Sequence, residues 1–153
     1  MRLQELIPPE HIVLGLEATD KWEAIARLMH HLVAQNALDP SYENACQIAV
    51  LARERSMSTG MERGIAIPHA AIDGLAHVVA ALGIVRQEEG VDFASIDSTP
   101  ASLIVLLLIP RPQKLQHIRT LADLARHLGN EEVRRRILGA STREEAWQAL
   151  AAR

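Results

Sequence analysis

Ile25, Leu28, Met29, Leu32 and Val33 recur three and four residues apart, the spacing of one face of a helix. The pattern opens behind Thr19 or Asp20, either of which suits an N-cap, and Glu23 stands where a capping box from Asp20 requires it. The helix is expected to run to about Gln35. A second helix is predicted from Asp39-Pro40-Ser41, with Ala45, Ile48, Ala49 and Ala52 on its apolar face, and it delivers Arg53 at its C-terminal end. Ile118, Leu121, Leu124, Ala125 and Leu128 define a third helix, stopped at Gly129. Glu131 to Leu138 reads as a short helix. Ser141, with Glu144 three residues on, is the expected cap of the last one.

Other stretches lack that period. His11 to Leu16 and Val78 to Val85 read as strands, and Ile65 to Ile67 as a brief buried strand rich in β-branched residues. Ser102 to Ile109 is an uninterrupted apolar run, the pattern of a strand buried on both faces. Leu3 to Ile7 is a short apolar opening closed by Pro8 and Pro9, and Pro110 and Pro112 end the long run. Gln87 to Gly90 reads as a turn and Val91 to Pro100 as irregular chain. Strands alternating with helices imply an α/β sandwich around a central sheet, and no repeat or linker interrupts the pattern.

Composition narrows the function classes. The 153 residues are the size of one domain, and 48% apolar residues suffice for a core, built of aliphatic side chains because aromatics make up only 3%. The net charge of −3 is spread among interspersed acids and bases. There is no basic stripe for nucleic acid and no cationic cluster for a lipid surface. The longest apolar run, Leu103 to Pro110, is too short to span a bilayer, so no membrane insertion is expected. MRLQELIPPE does not resemble a signal peptide, and Cys46 has no second cysteine to pair with. A cytoplasmic protein is the simplest expectation.

The candidate chemistry concentrates between Arg53 and Ala70, in RERSMSTGMERGIAIPHA. Gly60 and Gly64 are able to take positive φ and turn the backbone sharply. Pro68 cannot donate to a sheet, so the strand is expected to stop there and present His69 at its end. A histidine so held beside N–H-rich loop backbone suits nucleophilic attack on an anionic group. A histidine after a proline is more often an ordinary loop residue, so spacing alone does not decide the matter. Gly60 to Gly64 is no P-loop, because no Gly-Lys-Ser/Thr follows. His69, Asp73 and His77 have the four-residue spacing of helical metal ligands, but Gly74 argues against a continuous helix, and no metal or other cofactor is expected. Cys46 lies in a helical pattern and reads as core. His30 and His31 point to different sides of their helix, and His11 and His127 have no evident partner.

TG-x-x-x-GIAIPHA, preceded by the Arg53-Glu54 pair, resembles the active-site segment of the type-2 EIIA proteins of the bacterial phosphoenolpyruvate-dependent phosphotransferase system. The likeness covers nearly the whole chain. It implies a mixed central sheet with helices on both sides. It also implies that His69 accepts a phosphoryl group from the phosphocarrier HPr. Arg53 then corresponds to an active-site arginine, suited to bidentate contact with phosphoryl oxygens. His117, in QHIRTL, corresponds to a second active-site histidine that donates to or orients the group. Ser58, Thr59 and Gly60 become candidates for supporting the phosphate or His69. The family often has a further glycine where this chain has Glu62, and a small residue where it has Met57.

LGLEATDKWEAIARL and LARHLGNEEVRRRILGASTREEA carry a likeness to the nitrogen-regulatory branch. The expected function is therefore a signalling phosphocarrier whose partners are an HPr-type donor and a regulatory protein. The alternatives are a sugar-specific EIIA that passes phosphate to a separate EIIB, a regulatory binding module whose phosphorylation is incidental, and a metal-dependent hydrolase built on His69, Asp73 and His77.

Overall fold

The computed structural model describes residues 2–86 and 90–151. The expected turn from Gln87 to Gly90 falls mostly on residues 87–89, outside the described residues. Six helices are described, α1 (Leu3–Leu6), α2 (Lys21–Ala34), α3 (Pro40–Ser56), α4 (Ile118–Leu128), α5 (Glu131–Leu138) and α6 (Arg143–Ala149). The strands are β1 (Ile12–Leu14), β2 (Ile65–Ala66), β3 (His69–Ile72), β4 (Val79–Ile84) and β5 (Leu103–Pro110).

The long apolar run becomes β5, and every one of its residues is buried. On one edge β5 pairs antiparallel with β4, and β4 in turn pairs parallel with β1. On its other edge β5 pairs parallel with β2 and then with β3. The result is a mixed sheet with an apolar cluster on each face. Ile104, Leu106 and Leu108 join Leu28, Leu32, Cys46 and Val50 beneath α2 and α3. Leu103, Val105, Leu107 and Ile109 join Ile65, Ile67, Leu124, Leu128 and Ile137 beneath α4 and α5. Alternation along β5 builds both layers at once, as a strand covered on both faces requires. The α/β sandwich with helices on both sides of a mixed sheet is the architecture observed.

The helix caps follow side-chain chemistry. Asp20 accepts from the Glu23 amide at 2.8 Å and begins α2. Asp39 accepts from the Ser41 amide at 2.9 Å, with Pro40 opening α3. The last helix differs from expectation by one residue. Its cap is Thr142, whose hydroxyl accepts from the Glu145 amide at 3.1 Å, while the Ser141 amide donates back to the Glu145 carboxylate at 3.0 Å. The strand expected from His11 to Leu16 shortens to Ile12–Leu14, because Pro8 and Pro9 wind the preceding residues into a 3₁₀ turn.

The apolar face expected for α3 is also corrected. Ala45, Ile48 and Ala52 face solvent, with Ile48 60% exposed, and the buried residues are Cys46, Val50 and Glu54. Alanines signal direction weakly. The face is set instead by packing against α2 and β3 and by a carboxylate that must reach a buried partner.

Candidate functional site

The strand does not end at Pro68. It pauses there and resumes as β3 with His69 as its first residue. Pro68 lacks a donor, but its carbonyl still accepts from the Leu107 amide at 3.0 Å, so β5 carries the register across the interruption. His69 then lies opposite Leu107. Ala70 and Ile72 point into the α2–α3 cluster, so alternation puts His69 on the other side of the sheet, the side covered by α4.

The half-buried His69 ring is fixed by one short bond, from Nδ1 to the Ile67 carbonyl oxygen at 2.8 Å. A carbonyl only accepts, so Nδ1 holds the ring proton and the neutral lone pair lies at Nε2. Burial pushes the His69 pKa down. The Ile67 bond opposes that shift, the Arg53 charge adds to it, and Glu54 opposes it. The ring is thereby kept neutral near pH 7, as a nitrogen nucleophile must be.

Arg53 sits in the last turn of α3, where its Nη1 donates to the Met57 carbonyl at 2.8 Å. Its charge reaches His69 from there. His117 is the N-cap residue of α4 and is 3% exposed, not a surface histidine. Its Nδ1 lies 2.9 Å from the Thr120 hydroxyl and its Nε2 lies 3.1 Å from the Gln113 amide oxygen. The amide oxygen accepts only, so Nε2 carries the proton and Nδ1 accepts from Thr120. Burial lowers its pKa too. His117 thus opens the helix that covers the same face of the sheet as His69, and no bond between the two rings is among those described.

Ser58, Thr59 and Gly60 are brought to the loop between α3 and β2. Their hydroxyls hold the loop itself. Ser58 donates to the Phe93 carbonyl and accepts from the Gly60 amide at 3.0 Å. Thr59 Oγ1 donates to Glu54 Oε1 at 2.5 Å, and its amide donates to Glu54 Oε2 at 3.0 Å. Gly64 has the positive φ expected of it, 74°, and Arg63 beside it reaches 64°, but Gly60 does not. Gly60 is needed for closeness instead, since a Cβ there would lie 2.9 Å from the Phe93 carbonyl oxygen. Met57 and Glu62 both point outward, Met57 with 67% exposure.

Glu54 and Lys21 join the site only through the fold. Glu54 is 2% exposed, and Lys21 Nζ lies 3.1 Å from its Oε2. The clue is spacing. Cys46, Val50 and Glu54 fall four apart, so the carboxylate continues an apolar stripe. His69, Asp73 and His77 share no helix: they lie on β3 and the turns after it, and Asp73 pairs with Arg111 at 2.5 Å.

Residues 5–152 match the family described as "Phosphoenolpyruvate-dependent sugar phosphotransferase system, EIIA 2". The chain belongs to this family. Among EIIA relatives, it is 32% identical to the fructose-specific EIIA component of Haloferax volcanii, over 97% of this chain and 94% of that one. It is 31% identical to a nitrogen regulatory protein homolog of Haemophilus influenzae, over 98% and 91%. The crystal structure of the nitrogen regulatory protein IIA-Ntr from Neisseria meningitidis superposes with a TM-score of 0.85 at 30% identity, covering 97% of this chain and 98% of that one. IIA mannitol of Escherichia coli, at 27% identity, gives 0.75 over 93% and 96%. The chain is thus a component of the phosphotransferase system with EIIA architecture and nitrogen-regulatory relatives. No helix among the described residues is long and apolar enough to cross a membrane.

Proposed function

We propose that the chain acts as one EIIA unit that carries a phosphoryl group on Nε2 of His69, received from an HPr-type phosphohistidine donor. The observation that carries this reading is the Ile67 carbonyl bond, which keeps the proton on Nδ1 and leaves Nε2 free within the family motif. The Nε2 lone pair attacks phosphorus. The donor's P–N bond breaks, and its electron pair returns to the donor imidazole. The His69 ring gains positive character as the new N–P bond forms, and the Ile67 carbonyl dipole stabilises that charge through Nδ1–H. Arg53 binds phosphoryl oxygens, exchanging its Met57 carbonyl for a stronger anionic acceptor. His117 orients or donates to the transferred group after releasing Gln113. Ser58, Thr59 and Gly60 keep the loop in shape around it. The donor is already activated, so no metal or other cofactor is needed for this step.

The output we favour is regulatory: a cytoplasmic signalling EIIA whose target distinguishes phosphorylated from unphosphorylated His69. The superposition on IIA-Ntr supports this. The likeness to a fructose-specific EIIA supports a second reading, delivery to a separate EIIB. A solved complex of E. coli enzyme IIA mannitol with phosphorylated enzyme IIB mannitol shows that pairing for a protein of the same fold, 25% identical to this chain.

Incubation with phosphoenolpyruvate, Enzyme I and HPr tests the carrier reading. One acid-labile, base-stable label is expected, and full labelling of His69→Ala would overturn the assignment. Chasing the label onto a purified fructose-type EIIB separates the two outputs. Rapid transfer favours the sugar pathway, and retention favours the regulator.

A further inference from the structure

Glu54 is the most completely buried carboxylate among the described residues, and the transfer chemistry above leaves it without a task. Burying a charge is costly unless every lone pair is matched. Here three donors meet it: Lys21 Nζ at 3.1 Å, the Thr59 amide at 3.0 Å and the Thr59 hydroxyl at 2.5 Å. Both donors of Thr59 are therefore fixed by one side chain from the last turn of α3. The Thr59 carbonyl in turn accepts from the Ile67 amide at 3.2 Å. The Ile67 carbonyl is the group that holds Nδ1 of His69. Lys21, Glu54, Thr59, Ile67 and His69 form one continuous chain of hydrogen bonds from the start of α2 to the reactive imidazole.

We propose that Glu54 is a positioning residue for His69, acting through Thr59 and the backbone of Ile67 to fix the ring's tautomer and orientation. The Ile67–Pro68 peptide has no N–H to anchor it, so the Ile67 residue is held from the loop side through its own amide. The Thr59 carbonyl supplies that anchor, and Glu54 sets where Thr59 sits. A loosened Thr59 lets the Ile67 carbonyl turn, and the proton is then shared between Nδ1 and Nε2. Every molecule with the proton on Nε2 has no lone pair at the attacking atom. Lys21, 3.1 Å from Oε2, holds the carboxylate in place.

This inference rests on His69 being the acceptor, but its test does not. Nitrogen-15 NMR of the ring reports the tautomer directly, without any phosphate donor. In Glu54→Gln, and in the charge-matched pair Glu54→Gln with Lys21→Met, the neutral ring is expected to shift from the Nδ1–H form to a mixture. Phosphoryl acceptance is expected to slow about ten- to a hundredfold, the scale of misplacing a reacting group by an ångström. Thr59→Val removes one of the three bonds with little change of shape. It should move both readouts the same way by a smaller amount. Glu54→Asp in a folded background should restore neither fully, because the shorter side chain does not span Lys21 and Thr59 together. An unchanged tautomer in folded Glu54→Gln or Thr59→Val, or an unchanged transfer rate despite a shifted tautomer, would overturn the proposal. Labelling of His69→Ala would overturn the acceptor assignment instead, and the tautomer measurement would still decide the relay.

Discussion

The carbonyl oxygen of Ile67 lies 2.8 Å from Nδ1 of His69, two residues further along the chain. Pro68 lies between them. It turns its own carbonyl to the Leu107 amide of β5, so alternation leaves the Ile67 carbonyl on the opposite side, where it meets the ring, and β3 restarts in register with β5. The ring proton is thereby fixed on Nδ1, and the lone pair is left at Nε2.

Phosphorylated protein should carry phosphorus on Nε2 of His69. Phosphorus-31 and nitrogen-15 NMR of labelled protein read the position. Coupling to Nδ1 would mean that the ring turns over during transfer.

Acceptance should fall on acidification, because a protonated ring has no lone pair. The half-point should lie below 6.5, since burial and Arg53 both lower the His69 pKa. The fold should weaken over a similar range. His11, His69 and His117 all have native pKa values lowered chiefly by burial, so the unfolded chain binds protons first as pH drops below 6.5. The stability these neutral rings confer is complete above that pH and is lost as pH falls through their native values. Urea midpoints between pH 7.5 and 5.5 measure it. A midpoint that rises on acidification would contradict the burial account.

Arg53→Ala should slow transfer while raising the His69 pKa, because the cation that disfavours protonation is gone. Stability should change by only about 0.5 kcal/mol, as for most helix-end surface charges. A ring titration that stays put would show that Arg53 does not act on His69.

His117→Ala should perturb transfer or shorten the lifetime of the phosphoryl group. It should also cost about 1–2 kcal/mol of stability, since the ring is buried and joins Gln113 to Thr120. Unaltered transfer and lifetime in the folded variant would leave His117 as a buried link between Gln113 and Thr120 alone.

Gly60→Ala should destabilise by about 1–3 kcal/mol through overpacking, because its Cβ would meet Phe93 Cβ at 2.9 Å and Ser95 Oγ at 2.7 Å. Urea unfolding reads the loss. A neutral substitution would show that the loop shifts freely.

Phosphorylation adds about −1.5 to −2 charges, taking phosphoesters as a guide. A partner docked over the neutral ring would have to desolvate that group, so affinity should fall at least about tenfold for each 1.4 kcal/mol of unmatched cost. Capture with wild-type, His69→Ala and prephosphorylated protein should retain a regulatory target in the first two and lose it in the third. Equal retention by all three would remove the switch.

Local pattern determined much of this protein. The apolar run of β5, the periodic face of α2, the Asp20 and Asp39 caps and the break at Pro68 all follow from short-range chemistry, and the motif ending in His69 marks the family. Register and burial were decided by the tertiary structure. Nothing local tells that β5 pairs on both sides of the proline and restarts the strand at His69, or that α3 turns Cys46 and Val50 inward in place of Ala45 and Ile48. Glu54 is the sharpest case. In sequence it is one acid among the charges of RERS, yet in the fold Lys21, brought across thirty-three positions of chain, and Thr59 surround it. A charge is written in the sequence, but its solvent and its partners exist only once distant elements have packed.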